Sequence, residues 1–369
     1  MSSTLHSPLS STLSPTSSLQ VKRLRIPARS VDSAVVFKPR RFYPSIRAAA
    51  NFSSSVDTGL STELDAVTSY SEIVPDTVVF DDFERFPPTA ATVSSSLLLG
   101  ICSLPDTKFR AFVNVGGDLA KLVPGRVSTE VDARLAYDTQ AIVQKVHDLS
   151  KLYNKIGVSS ERLLFKIPAT WQGIEASRIL ELEGIQTHMT FVYSFCQAAA
   201  AAQAGASIIQ IFVGRLRDWA RNHTGDSEVE AALSKGEDPG LALVTKTYNY
   251  IHKYGHKSKL MAAAIRNKQD VFNLLGVDYI ICPLKILQVL KESVTPPDEK
   301  YSLIRRLSPQ TAVSYNFSNE ELVNWDENSF ASALGPAAMG LLTAGMDGYA
   351  SQSTRVEELF DKIWPPPNV

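Results

Sequence analysis

RLLFKIPATWQGIEASRILELEGIQTHMTFVY spans Arg162 to Tyr193 and reads as strand, helix, strand. RLLFKIPA (162–169) is a short, largely apolar segment with the look of a buried strand. WQGIEASRILELEG (171–184) follows as a helix that ends at Gly184, and IQTHMTFVY (185–193) is the next strand. One residue sits awkwardly in this reading. Lys166 lies in the middle of the first strand, between Phe165 and Ile167. Burying an ammonium group costs several kcal/mol unless it is paired or loses its proton.

The same alternation extends in both directions. RVSTEVDARL (126–135) reads as a strand, and TQAIVQKVHDLSKLYNKIG (139–157) as an amphipathic helix closed by Gly157. After Tyr193 come an Ala-rich helix (194–205), a strand (207–214), an apparent insertion (215–240) and a helix (241–255). A strand (258–267), a helix (268–276), a strand (278–285) and a helix (286–294) complete the pattern. Strands that each lead into a helix imply a parallel sheet with right-handed crossovers. Their apolar run, without internal polar alternation, fits a sheet covered on both faces. A doubly wound sheet needs a Gly-rich first turn, and the nearest candidate, VGGDLA (115–120), does not fit that pattern. The fold expected is therefore α/β, a (β/α)8 TIM barrel formed by residues 51–369 as a single domain, with a C-terminal helical segment (331–364) packed on it. The first barrel units must lie within 51–121, where periodicity does not place them.

Composition narrows the function. The chain has 369 residues and a formal net charge of −1. Residues 1–50 hold eight Lys/Arg, eleven Ser and one acid, Asp32, which leaves 29 basic against 37 acidic residues beyond them. An acidic body gives nucleic acid no footprint, and no apolar run approaches the length of a membrane span. The Ser-rich, Arg-rich, acid-poor start is the composition of an organellar transit peptide, and its hydroxylated, Pro-containing opening points to the chloroplast (plastid stroma). Cys102, Cys196 and Cys282 are too few and too scattered for a disulfide framework or a zinc site.

In a parallel barrel, ligands meet the C-terminal ends of the strands. The polar residues expected there are Glu130 and Asp132, Lys166, His188 and Thr190, Gln210 with Arg215, and Arg266. Lys166 has two readings. A snorkelling lysine would stretch its head group to water. A desolvated lysine would lose pKa and become an amine that condenses with a ketone, creating an electron sink for cleavage of the adjacent C–C bond. Glu130 and Asp132 either relay protons near such an imine or form salt bridges to Arg134 or Lys166. Arg215 and Arg266 either bind a phosphate or make surface ion pairs. His252 and His256 have the spacing of a metal pair but no acidic partner, and Gly255 breaks the helix between them.

PGRVSTEVDARLAYD (124–138), LLFKIPATWQGIEA (163–176), FVGRLRDW (212–219) and MAAAIRN (261–267) together resemble the signature blocks of the transaldolase family, in family order. The resemblance runs from about residue 64 to about residue 364. It implies a class I aldolase barrel, needing neither metal nor cofactor, that moves a dihydroxyacetone unit between sugar phosphates in the pentose phosphate pathway. The implied reaction converts sedoheptulose 7-phosphate and glyceraldehyde 3-phosphate to erythrose 4-phosphate and fructose 6-phosphate. It also implies a Schiff base on Lys166, a Glu130 that works through a water with Thr190 beside it, and Asp76 (in IVPDT) as acid and base. Arg215 and Arg266 match phosphate-binding arginines, and a homodimer matches the family habit.

This chain departs from the family pattern at three donor-sugar contacts. Ser94 and His188 each stand where the family has an Asn, and Gln210 stands where it has a Ser. The stretch from Ser96 to Pro124 is also shorter than usual, and a barrel helix is expected to be missing there. Two function classes follow: a plastid transaldolase, with activity reduced or altered by these changes, or a catalytically impaired transaldolase-like protein that binds sugar phosphates or partners in a regulatory role.

Overall fold

A computed structural model describes residues 62–102, 112–293 and 305–363. The transit segment expected at 1–50 lies outside them. Eight parallel strands form one sheet: β1 (Glu72–Pro75), β2 (Ala91–Val93), β3 (Val127–Glu130), β4 (Leu163–Pro168), β5 (Thr187–Val192), β6 (Ile208–Phe212), β7 (Lys259–Ala263) and β8 (Tyr279–Cys282). Their spatial order is β1-β8-β7-β6-β5-β4-β3-β2. The sheet curls into the expected (β/α)8 barrel, closed except for a seam, because β1 and β2 are its two ends. At the start of these two strands the Thr89 hydroxyl donates to the Glu72 carboxylate, a side-chain link across the seam.

The helices are α1 (Glu63–Thr68), α2 (Phe80–Arg85), α3 (Ser95–Cys102), α4 (Phe112–Leu122), α5 (Thr139–Lys155), α6 (Trp171–Leu182) and α7 (Phe195–Gln203). They continue as α8 (Val213–Ala220), α9 (Ser227–Ser234), α10 (Pro239–Lys253), α11 (Lys268–Asn273), α12 (Leu284–Glu292), α13 (Pro309–Ala312), α14 (Glu327–Ala333) and α15 (Gly335–Ile363). The region that sequence periodicity leaves open, 62–121, therefore holds two complete βα units. The expectation of a missing helix between 96 and 124 is corrected: α4 packs on β2, β3 and α5. VGGDLA belongs to that helix. A Cβ on Gly116 would stand 2.0 Å from the Tyr153 hydroxyl of α5, so the glycine allows close approach of the two helices. The apparent insertion at 215–240 is α8 and α9, and α10 then returns the chain along β6 and β7.

The strands have two unlike faces. Outward positions (Leu163, Phe165 and Ile167 of β4; Met189 of β5; Ile209 and Ile211 of β6) belong to the large apolar core under the helices. Inward positions mix apolar residues (Leu164, Ile208, Phe212, Met261) with polar ones. Alternation of period two runs along the strands outside the bulge of β5, and the polar residues Thr129 and Thr187 on the outward face are paired with the Tyr153 and Ser177 hydroxyls of the covering helices. The KIPATWQG block is then a strand-to-helix junction: Thr170 caps α6 by accepting from Gly173 N–H at 2.9 Å and donates its own hydroxyl to the Ala136 carbonyl. The long C-terminal helix α15 packs against α3, α8 and β5, with Ala338, Leu342 and Met346 joining the apolar residues of the barrel mouth.

Candidate active site

Strand register sets the centre of the site. Glu130 of β3 is paired with Lys166 of β4, and Lys166 with His188 of β5, so three inward side chains share one layer. All three are buried, with exposures of 6, 5 and 0%. Lys166 Nζ lies 3.8 Å from Glu130 Oε2, close enough for an ion pair and too far for a direct hydrogen bond. Glu130 Oε1 accepts from the Ser95 hydroxyl at 2.7 Å, whereas Oε2 has no hydrogen-bond partner. Burial pushes the Glu130 carboxyl up to about 6, against the opposing pull of Lys166 and Ser95.

Asp76 follows β1, its N–H bonded to the Cys282 carbonyl of β8 at 3.1 Å. Water reaches it from the mouth, yet protein atoms crowd around it. That burial raises its pKa while Lys166 pulls the other way. The state of Lys166 corrects the sequence reading. Burial pulls its pKa down, but Tyr349, Glu130 and Asp76 together outweigh burial and hold the amine above the ordinary lysine range. The buried lysine is thus a caged ammonium. The two carboxylates that act on this nitrogen, Glu130 and Asp76, are themselves both raised by burial.

His188 is neutral: burial and the neighbouring Lys166 charge hold its pKa down at about 3. Its Nδ1 meets the Ser128 hydroxyl at 2.7 Å, while Nε2, near Gln210, has no hydrogen-bond partner of ordinary geometry. Thr190 donates to Gln210 Oε1 at a long 3.4 Å. Ser94 is buried but caps α3, accepting from Leu97 N–H at 3.3 Å. Hydroxyl-bearing groups of a ligand could meet His188, Gln210 and Thr190, since each keeps bonding capacity toward the lumen.

The two arginines stand at the rim. Arg215, in the first turn of α8, lies over the Phe212 ring at 5.0 Å and reaches the Tyr193 hydroxyl at 3.5 Å. Arg266 is exposed and paired with Asp218 at 2.7 Å. Gly214 lets the start of α8 lie against the segment after β7, because a Cβ there would come within 2.3 Å of the Ala264 carbonyl and 2.7 Å of Arg266 Nε. The backbone is strained at the same rim: Phe191 and Ala264 adopt φ of 59° and 58°. The register of β5 against β6 also slips between Met189 and Val192.

Asp132 does not join the site. It binds Arg134 (Nε at 2.9 Å), which also reaches Glu357 of α15 at 3.0 Å. His252 instead packs tilted against Tyr248, with ring centroids 4.2 Å apart, and His256 stacks on Tyr250 at 4.9 Å. Sequence reasoning missed Ser95, Ser128 and Tyr349. Ser128 had a signal, being two residues before Glu130 and so on the same strand face. Ser95 had only its place in a serine run, and Tyr349 had none.

Comparison with known proteins agrees with this geometry. Residues 104–336 match the family described as transaldolase/fructose-6-phosphate aldolase. The chain is 36% identical over 328 residues to a transaldolase of Histophilus somni, covering 82% of this chain and 99% of that protein. It is also 36% identical over 315 residues to a transaldolase of Haemophilus influenzae, covering 78% of this chain and 96% of that one.

Proposed function

Since the chain belongs to the transaldolase/fructose-6-phosphate aldolase family, we propose that it transfers a dihydroxyacetone unit between sugar phosphates through a Schiff base on Lys166. The observation that carries this reading is the buried Glu130–Lys166–His188 layer, with one carboxylate oxygen left unpartnered 3.8 Å from the amine. In the proposed sequence the ammonium first gives a proton to the carboxylate cage. Its nitrogen then attacks the C2 carbonyl of the ketose, and as the C–N bond forms the nitrogen gives up a second proton and the carbonyl oxygen takes one up, leaving a neutral carbinolamine. Glu130, working through a water near Thr190, protonates the C2 hydroxyl, which leaves as water to give the iminium. Asp76 takes the proton of the C4 hydroxyl. The C3–C4 bond then breaks, its electrons enter the iminium as an enamine, and an aldose departs. The reverse steps on a second aldose complete the transfer. Arg215 and Arg266 hold the substrate phosphate, with Asp218 displaced from Arg266, while His188 and Gln210 meet donor hydroxyls.

Incubation with fructose 6-phosphate, borohydride reduction and mass spectrometry test the proposal. The expected result is an adduct on Lys166 that is absent from Lys166→Ala, with turnover when erythrose 4-phosphate is supplied. A second reading, an impaired transaldolase-like protein that binds sugar phosphates in a regulatory role, is favoured by Ser94, whose hydroxyl is engaged as a helix cap. Absence of an adduct with both fructose 6-phosphate and sedoheptulose 7-phosphate selects that reading.

Two further parts of the proposal rest on the composition of the N-terminal segment and on resemblance to the family. Residues 1–50 act as a plastid-targeting segment, supported by their eleven Ser and eight Lys/Arg against one acid. A fluorescent fusion that stays in the cytosol of leaf cells would refute this. The chain works as a homodimer without nucleic acid, an assembly that light scattering of the purified protein checks.

A further inference from the structure

The nitrogen of Lys166 ends a long, flexible side chain, yet its nearest carboxylate oxygen is 3.8 Å away, beyond hydrogen-bond distance. The remaining polar group against it comes from the far end of the chain. Tyr349 of α15 places its ring centroid 5.4 Å from Nζ. That ring is itself fixed. It meets Phe191 edge-on at 4.8 Å, and Phe191 is the residue whose backbone is held at φ 59°. One turn earlier, Gly345 lets α15 descend onto the same phenylalanine, since a Cβ there would fall 2.8 Å from its ring. Met346 and Leu342 seat the helix in the mouth cluster.

We propose that Tyr349 is a positioning residue for the Lys166 amine, its hydroxyl accepting a hydrogen bond from Nζ and holding it beside Glu130, so that the seating of the C-terminal helix sets the reactivity of the lysine. The inference rests on Lys166 being the reacting nitrogen. The titratable groups facing that nitrogen are Glu130 from β3, Asp76 after β1, His188 from β5 and Tyr349 from α15. Three of these belong to the barrel wall, and Tyr349 belongs to the C-terminal helix. A hydroxyl that accepts from the ammonium favours the charged form, which agrees with the direction in which Tyr349 moves Lys166.

The test compares the parent with Tyr349→Phe, which keeps the ring and its packing on Phe191. Two readouts are taken: the pH dependence of Lys166 acetylation by acetic anhydride, followed by mass spectrometry, and the rate of borohydride trapping with saturating fructose 6-phosphate. The variant is expected to titrate Lys166 at lower pH than the parent. Its trapping is expected to be slower by roughly tenfold or more, the scale of a misplaced reacting group, with KM for the donor nearly unchanged. Thermal melting at the parent's temperature separates positioning from loss of fold. Should the variant melt early, Tyr349→His, which restores a polar ring, is expected to recover part of the trapping rate. An acetylation curve and a trapping rate both equal to the parent's would overturn the proposal and leave Tyr349 as packing. If the parent itself gives no fructose 6-phosphate adduct while the acetylation curve still shifts, the transaldolase reading fails and the Tyr349–Lys166 coupling stands.

Discussion

Lys166 shows what a sequence can and cannot say about one residue. Its burial was legible, because both strand neighbours are apolar and burial of an ammonium demands an explanation. Its protonation was not, because that depends on charges brought from β1, β3 and α15. The cage makes a signed prediction. Burial lowers the lysine pKa and the carboxylates raise it, so Glu130→Gln leaves burial less opposed. The Lys166 titration followed by acetylation should move to lower pH in that variant even as turnover falls by 10²-fold or more, the scale of a lost proton-transfer group. An unmoved curve would mean that the 3.8 Å pair exerts no hold on the amine. His188 gives a second test. Its folded pKa of about 3 lies below the ordinary 6.5, so the folded state resists protonation that the unfolded chain accepts. Above pH 6.5 the residue costs nothing. As pH falls below 6.5 toward 3, stability is lost, by about 3 kcal/mol at pH 4.5. Urea unfolding of His188→Asn at pH 7 and pH 4.5 should show a smaller acid loss than the parent by about that amount.

At the scale of elements, the strands and helices from 126 to 294 were legible because apolar segments of two lengths alternate there. Their ends were less so: RVSTEVDARL yields only Val127–Glu130 as strand, since Asp132 accepts from Arg134 N–H and turns the chain into a short 3-10 helix. The early units were hidden for a physical reason. β2 has three residues and α2 six, too short for any period to register. The helix thought missing was hidden by its glycines, which lower helix propensity while serving contact. Gly116 decides that contact, because Tyr153 of α5 occupies the space its side chain would need and bonds Thr129 at 2.6 Å. Gly116→Ala gains up to ~1 kcal/mol of helix propensity but overpacks the α4–α5 interface by about 1–3 kcal/mol. Net destabilisation is expected in urea unfolding, with a smaller loss when Tyr153→Phe removes the clashing hydroxyl. Equal losses in both backgrounds would show that the two helices do not meet at that oxygen.

For the molecule as a whole, the question is what keeps the end of the chain across the mouth of a barrel begun some 270 residues earlier. Apolar contacts of Ala338, Leu342 and Met346 supply most of the hold. Two polar ties add to it: at its start the Ala337 N–H donates to Asp226 at 3.0 Å, and further along Arg134, fixed by Asp132 on one side, reaches Glu357 of α15 at 3.0 Å on the other. This gives the EVDAR block two jobs that sequence alone could not separate, because they diverge only in space: Glu130 faces the lumen, while Asp132 and Arg134 fasten α15. Arg134 is 41% exposed and Glu357 55%, so water screens the pair and its contribution to global stability is about 1 kcal/mol or less. Local opening is a different quantity, since a helix end held by few contacts exchanges without unfolding the barrel. Arg134→Ala should therefore barely change the melting temperature, yet raise hydrogen exchange in the second half of α15 and slow the trapping of Lys166 several-fold as Tyr349 leaves its place. If exchange in α15 stays at the parent's level while trapping slows, Arg134 acts on the site through Asp132 and β3, and the helix is not the link.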